Sequence, residues 1–271
     1  MSQIENSISS IDLTDKSVLL RVDFNVPLKG SELLDDERLV RALPTINFIA
    51  ENAKSLKIIS HLGRPEETGL VQDKFSLKPV AKKLAELLGK EVNLVNSLKE
   101  LKSLKNISML ENIRFYKGEK QNEDKLSKAL AETADVFVMD AFGTAHRKQA
   151  STFGVTKFVK EACVGLLVEE ELKALEKIID SPEKPLLGII GGSKISTKMK
   201  VLESLTRHVD HLIIGGALAN TCLKALGKNI GKSLYEEDFI ELAKIIKKNK
   251  KILLPSYVVV TKGRDANLEE K

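Results

Sequence analysis

The chain of 271 residues has no tryptophan, only two cysteines, and an aromatic content of 4%. Each scarcity excludes something. Cys163 and Cys222 both sit in apolar surroundings, far too few for a disulfide framework. They show neither CxxC nor Cys/His spacing, so they read as buried thiols of a reducing compartment rather than as metal ligands. The few aromatics are not interleaved with basic residues, which removes the stacking surface of a nucleic-acid binder. The formal net charge of +5 is likewise too mild for a phosphate-backbone partner, yet it suits small anionic ligands. No apolar run is long enough to span a bilayer, and residues 1–16 lack the charged and apolar regions of a signal peptide. The expected setting is the cytoplasm, with no membrane or nucleic-acid partner. Familiar catalytic signatures are missing too. There is no G-x-x-x-x-G-K-[ST], no G-x-G-x-x-G and no H-E-x-x-H, and no Ser-His-Asp or Cys-His arrangement stands out.

What is present is alternation. Apolar runs that read as strands (18–22, 56–59, 91–95, 107–110, 136–139) alternate with helical patterns (37–54, 77–88, 123–134). Pro44 should break or restart the first helix. Ser76 should cap the second, which carries Pro79 in its first turn and Gly89 just past its end. Such alternation predicts an α/β fold with doubly wound, parallel sheets. At this length two domains are the natural expectation. A polar helix over 168–179, with Glu169, Glu170 and Glu171 in its first turn, serves as the bridge. The predicted division is 1–166, a helix and linker over 167–183, and a second, smaller and incomplete Rossmann-like domain over 184–271. In that second part, strands over 186–190 and 212–214 each run into a Gly-Gly turn and a helix. A further helix over 238–248, short strands at 252–254 and 258–260, and a polar tail over 262–271 follow.

The first of these turns, Gly191-Gly192-Ser193-Lys194-Ile195-Ser196-Thr197-Lys198, has the order strand, glycine turn, helix. Unpaired N–H groups and the helix dipole make such a start a place for phosphate. Ser193 is the expected N-cap. Lys194 and Lys198, four residues apart, should project from one face of the first helical turns. Read alone, the same turn is ordinary α/β punctuation.

The first domain adds a second anion site. Ligands in open α/β sheets bind beyond the carboxyl ends of the strands. Four strand ends deliver Asp23 and Asn25, then His61 and Arg64, then Arg114, then His146 and Arg147, and Arg38 can join them from the helix after the first strand. One arginine would be an ordinary surface charge; arginines after several successive strands are brought together by the fold, and each can bind carboxylate or phosphate in a bidentate way. Beside them, His61 and His146 are expected to be neutral imidazoles that donate hydrogen bonds. His208 and His211 flank a helix–strand turn and read as surface or local partners, and the lysines around Asn249 as a solvated helix end. Two anion sites on two domains suggest phosphate transfer between a nucleotide and a small acid. An ionised acceptor needs no general base, and positioned cations do the rest. A site split between domains would close to exclude water.

The motifs RVDFNVP (21–27), DERLVRALPTI (36–46), SHLGRP (60–65), LENIRFYKGE (110–119), DAFGTAHR (140–147), GGSKISTK (191–198) and GGALANT (215–221) occur in that order. With them the chain resembles the phosphoglycerate kinase family over about 18–257. The resemblance implies a two-domain, usually monomeric glycolytic phosphotransferase. It would move phosphate reversibly between 1,3-bisphosphoglycerate and ADP, giving 3-phosphoglycerate and ATP, with magnesium. It implies that Asp23, Asn25, Arg38, His61, Leu62, Gly63, Arg64, Arg114 and Arg147 bind 3-phosphoglycerate, with Arg38 also stabilising the phosphoryl group in flight. Lys198 would contact the nucleotide phosphates and Lys194 would neutralise the transferring group. Gly191, Gly192, Gly215 and Gly216 would lie against the nucleotide. Two departures stand out. Leu254-Pro255-Ser256-Tyr257 replaces the family's LPVD or LPSD, and the W-N-G-P and G-G-G-D-T segments, the latter carrying the magnesium-holding Asp, do not occur. The expectation is a C-terminally truncated chain with the whole acid site, half the nucleotide site, no metal ligand and little activity alone. The alternative is a non-catalytic phospho-acid-binding protein.

Overall fold

Residues 18–22 are all buried, a pattern that only a strand inside a sheet with both faces covered can satisfy. This strand, β1 (Ser17–Val22), is indeed central. In the computed structural model, which describes residues 6–180, 183–194, 196, 198–240, 243, 249–260 and 269–270, the chain divides into two compact units, 1–174 and 175–271.

Unit 1 is built on six parallel strands, β1 with β4 (Ser55–Ile59), β5 (Asn93–Val95), β6 (Ile107–Leu110), β7 (Val136–Asp140) and β8 (Glu161–Val164). Their spatial order is β5-β6-β4-β1-β7-β8. Leu20 pairs with Ile58 on one side and Val138 on the other. From β1 the chain winds to one side, and only after β6 does it cross to β7 on the other. The winding therefore reverses between β1 and β7, and their carboxyl ends open a crevice there. Two short strands, β2 (Leu28–Lys29) and β3 (Glu32–Leu33), form a separate hairpin.

The sheet has a core on each face. Val18, Leu20, Val22, Ile58 and Val138 lie in one cluster with Leu39, Ile46 and Ile49 of α1 (Glu37–Asn52) and Leu84 of α2 (Lys78–Leu88). Leu19, Ile59 and Phe137 lie in the other, with Leu101 of α3 (Leu98–Ser103) and Leu130 of α4 (Asp124–Ala131). Helix α1 runs unbroken through Pro44, against expectation. A mid-helix proline costs roughly 3 kcal/mol. Burial of Leu39, Ile46 and Ile49 at about 1.5–3 kcal/mol each outweighs it. Ser76 is also not the cap residue, a position held by Leu77, although its hydroxyl does accept the Lys78 N–H at 3.2 Å. After β7 come α5 (Phe142–Ala145), β8 and α6 (Leu166–Asp180), and the division between units falls inside α6.

Unit 2 has three parallel strands in the order β11-β10-β9, namely β9 (Leu187–Ile190), β10 (His211–Ile214) and β11 (Ile252–Leu253). Helices α7 (Met199–His208) and α8 (Gly216–Ala225) connect with them through a core of Ile190, Leu202, Leu212, Ile214, Leu218 and Cys222. An antiparallel pair, β12 (Val259–Val260) and β13 (Glu269–Glu270), follows. Most of the helix expected over 238–248 lies outside the described residues, apart from a single 3-10 turn over Glu237–Phe239. The rest of the expected tail, 262–268 and 271, lies outside them too. Both cysteines are buried and unpaired, and no helix among the described residues is long and apolar enough to cross a membrane.

Candidate functional site

Four loops leave the carboxyl ends of β1, β4, β6 and β7, and side chains stitch the first three together. The Ser60 hydroxyl accepts the Phe24 N–H at 2.9 Å, joining the ends of β4 and β1. Asn25 Oδ1 accepts the Gly63 N–H at 2.8 Å. Asn112 Nδ2 donates to the Leu62 and Phe75 carbonyls at 2.7 and 2.9 Å, while its Oδ1 accepts the Arg114 N–H at 3.1 Å. Gly63 holds φ +61°, and a Cβ there would lie 2.5 Å from the Phe75 ring, so the turn admits no side chain. The loop after β4 is thereby pinned before any ligand is considered.

Onto this frame the charges are hung. Arg38, half exposed at the start of α1, is bonded to Asp23. His61 is buried, with Nδ1 3.2 Å from Arg21 Nη2. Arg114 is buried and donates from Nη1 to the Gly63 carbonyl, but its buried Nε has no partner among the described residues. Arg147 is half-buried after α5, and Arg64 is exposed. Burial, followed by repulsion from Arg147, pushes the Arg114 guanidinium below its usual range. Burial and then Arg21, Arg114, Arg147 and Arg38 push His61 down to about 2, so its imidazole is neutral at any ordinary pH. Clustered cations with a buried donor among them suit an anion.

Unit 2 offers a different construction. The Gly191-Gly192 and Gly215-Gly216 turns pack backbone on backbone. Gly215 N–H donates to the Ile190 carbonyl at 2.9 Å, and Leu218 N–H to the Gly192 carbonyl at 3.2 Å. Gly216 holds φ +63°, and a Cβ there would lie 3.2 Å from the Gly192 carbonyl oxygen. Lys198 Cε lies beside Gly192, 3.8 Å from where a side chain would begin. The expected cap and lysine pair are corrected here. Helix α7 starts only at Met199 with Lys198 in the cap position, so Ser193 does not cap it and Lys194 is outside the helix. The reason is a distant anchor. Glu236 accepts from Ser196 N–H at 3.2 Å and from its hydroxyl at 2.9 Å, holding residue 196 in a turn. Ile195 and Thr197 lie outside the described residues.

A profile of the family described as phosphoglycerate kinase matches residues 8–271. The chain belongs to the phosphoglycerate kinase family. A phosphoglycerate kinase of Francisella philomiragia is 49% identical over 242 residues, which are 89% of this chain and 62% of that relative. Two solved structures share the fold across 98% of this chain and 70% of theirs. They are the phosphoglycerate kinases of Coxiella burnetii (TM-score 0.83, 46% identity) and Pyrococcus horikoshii OT3 (TM-score 0.83, 28% identity). The chain thus spans about 62% of the length of that curated relative.

Within this family frame, unit 1 brings Asp23, Asn25, Arg38, His61, Gly63, Arg64, Arg114 and Arg147 to one edge of its sheet. Leu62 differs: its side chain is in the core, and only its backbone belongs to the loop. His146 is exposed next to Arg147. His208 bonds its own helix through the Ser204 carbonyl at 2.8 Å, and Lys251 reaches the Thr206 carbonyl at 3.0 Å. Sequence reasoning passed over three buried groups beneath the pocket. Arg21 donates from Nε to the Ser151 hydroxyl at 3.1 Å, and Ser151 donates to Glu119 at 2.6 Å. A charged residue inside the apolar run of β1 was the available signal. Glu67 was missed as well. It accepts the Gly118 and Lys120 N–H groups at 3.3 and 3.2 Å and so holds the loop that carries Arg64.

Proposed function

We propose that this chain carries the phospho-acid pocket and the nucleotide turn of a glycolytic phosphotransferase. The reaction is the reversible transfer of phosphate between 1,3-bisphosphoglycerate and ADP, giving 3-phosphoglycerate and ATP. The observation that carries this reading is the buried Arg114 Nε, unpartnered among the described residues, in a guanidinium that burial and the nearby Arg147 and Arg64 push below its usual range. A small, multiply charged acid relieves that repulsion and takes the leftover donor. In this reading Arg64, Arg114 and Arg147 hold the anionic groups of 3-phosphoglycerate. Neutral His61, Asp23 and Asn25 orient its polar groups, and the Leu62–Gly63 backbone shapes the wall. Arg38 exchanges its bond to Asp23 for the phosphoryl group in flight. The acceptor carboxylate is already ionised at neutral pH, so these residues need no general base. Gly191, Gly192, Gly215 and Gly216 let the nucleotide approach the backbone, Lys198 takes its phosphates and Lys194 neutralises the moving group.

Magnesium would neutralise nucleotide phosphate charge when bound. Among the described residues no group of three or more His, Cys, Asp or Glu could hold a metal ion, and no step here runs through one. A cytoplasmic monomer is part of the same proposal. The test is protection by 3-phosphoglycerate, read as a rise in unit 1 melting temperature and as slowed amide exchange at 60–64 and 112–115. Protection should disappear in Arg38→Ala and Arg64→Ala. Protection unchanged in both removes the pocket assignment. Protection in the wild-type chain with no turnover in a coupled ATP assay favours a binding protein over an enzyme.

A further inference from the structure

Two groups face His61 Nδ1, Arg21 Nη2 at 3.2 Å, within hydrogen-bond reach, and Asp23 Oδ1 at 3.8 Å, beyond it, and they determine which ring nitrogen carries the proton. An arginine side chain has only donors. Arg21 Nη2 lies 3.2 Å from His61 Nδ1, so Nδ1 is the acceptor and the proton is on Nε2. Arg21 is itself completely buried and locked at its other nitrogens. Nη1 donates to the Val22 carbonyl, and Nε donates to the Ser151 hydroxyl at 3.1 Å. A hydroxyl has one proton and two lone pairs. Ser151 donates its proton to Glu119 Oε1 at 2.6 Å, which leaves its lone pairs for Arg21. The second oxygen of Glu119 accepts the Ser151 N–H at 3.0 Å. Glu119 is completely buried and, through Ser151, faces the charge of Arg21.

Arg21 donates in both directions, to His61 on one side and to Ser151 on the other, and Ser151 donates onward to Glu119. We propose that Glu119 and Ser151 are positioning residues that, through Arg21, hold His61 as the Nε2–H tautomer and present that N–H to the phospho-acid. The tautomer part stands on geometry alone; what Nε2–H donates to rests on the reading given under Proposed function. The carboxylate is essential to the direction. A carboxamide at position 119 that still accepts the Ser151 N–H must turn its NH2 toward the Ser151 oxygen. The two lone pairs of the hydroxyl then accept from that NH2 and from Arg21 Nε–H, its own proton is left buried without its carboxylate acceptor, and the shift that satisfies this proton unseats the guanidinium. With Arg21 unseated, His61 Nδ1 is free to carry the proton instead. A merely structural role for Glu119 predicts lower stability and no change of tautomer.

The experiment is heteronuclear NMR on the full chain with labelled histidine at pH 7, with His61 assigned by its loss in His61→Gln. The wild type should show His61 as a single neutral species with protonated Nε2. Glu119→Gln and Ser151→Ala should show a mixture of both tautomers and bind 3-phosphoglycerate roughly tenfold more weakly. Ser151→Thr, which keeps the hydroxyl, should restore the wild-type pattern. An imidazolium or an Nδ1–H form in the wild type overturns the proposal, whatever the variants do. So does an unchanged tautomer in folded Ser151→Ala. Tautomer changes as expected with no binding of 3-phosphoglycerate by any form, wild type included, uphold the relay and refute the substrate reading. Binding by the wild type with tautomers unaltered in the variants does the reverse.

Discussion

The two candidate anion sites are built from opposite materials. In unit 1 the candidate anion site has buried groups at its centre, His61 on Arg21 and Arg114 on Asn112, with the loop at Gly63 held by Asn25, and the half-exposed Arg38 and exposed Arg64 at its rim. In unit 2 it is a pair of glycine turns in backbone contact, with Lys194 exposed and Lys198 half-buried. The difference is one of reorganisation. Buried guanidinium groups are preorganised and desolvated, so an incoming anion meets charge that water does not screen. Flexible lysines give point charge, and the backbone N–H groups supply the shape. Loss of a single side chain should therefore hurt the first site far more than the second.

The largest effect tests that contrast directly. Arg114→Ala removes the unpartnered donor and one guanidinium of the repelling set. It should weaken 3-phosphoglycerate binding by about 100-fold, or about 2.7 kcal/mol. Nucleotide binding to unit 2, measured by calorimetry on the same protein, should not change. Lys198→Ala should cost nucleotide only about tenfold, since the backbone turn survives it. Equal losses at the two sites would mean that the unit 1 pocket is no more preorganised than the glycine turn.

The same burial makes unit 1 sensitive to acid. The folded protein keeps His61 neutral down to about 2, whereas an unfolded histidine takes up a proton near 6.5. Between those values the unfolded state binds more protons, so stability rises with pH in that window and falls as pH is lowered through it. At pH 4.5 this one group should cost about 2–3 kcal/mol relative to pH 7. The check is the slope of unfolding free energy against pH in urea. His61→Gln should flatten the slope for unit 1. A wild-type slope no steeper than that of His61→Gln would remove the buried, neutral imidazole.

How legible this was follows from where the partners lie in the chain. The strands could be read from local runs such as 18–22 and 136–139, and the arginines after them from the rule that strand ends share one edge. The relay under His61 could not be read that way. Arg21 and Ser151 are 130 residues apart, and Glu119 and Ser151 are 32 apart, so no local pattern announces them. The errors have the same origin. Pro44 stays inside α1 because burial of the helix face outweighs a local breaker. Helix α7 starts late because Glu236, 40 residues from Ser196, holds the preceding turn. Local propensity failed wherever a distant side chain or a core decided.

The smallest expected effect asks whether unit 2 depends on its backbone as argued. Gly216→Ala places a Cβ 3.2 Å from the Gly192 carbonyl oxygen, at a φ of +63° that alanine resists. The strain should cost about 1–2 kcal/mol. Because Gly215 and Leu218 donate to the carbonyls of Ile190 and Gly192, the shift passes to the first turn as well. Unit 2 should melt a few degrees earlier and nucleotide affinity should fall severalfold, with 3-phosphoglycerate binding to unit 1 unmoved. Ser193→Ala is the matching control. Its side chain is not the cap of α7, so it should leave both properties within error. A loss in Ser193→Ala as large as in Gly216→Ala would mean that side chains, not glycine backbone, shape the nucleotide turn, and the contrast between the two sites would fail.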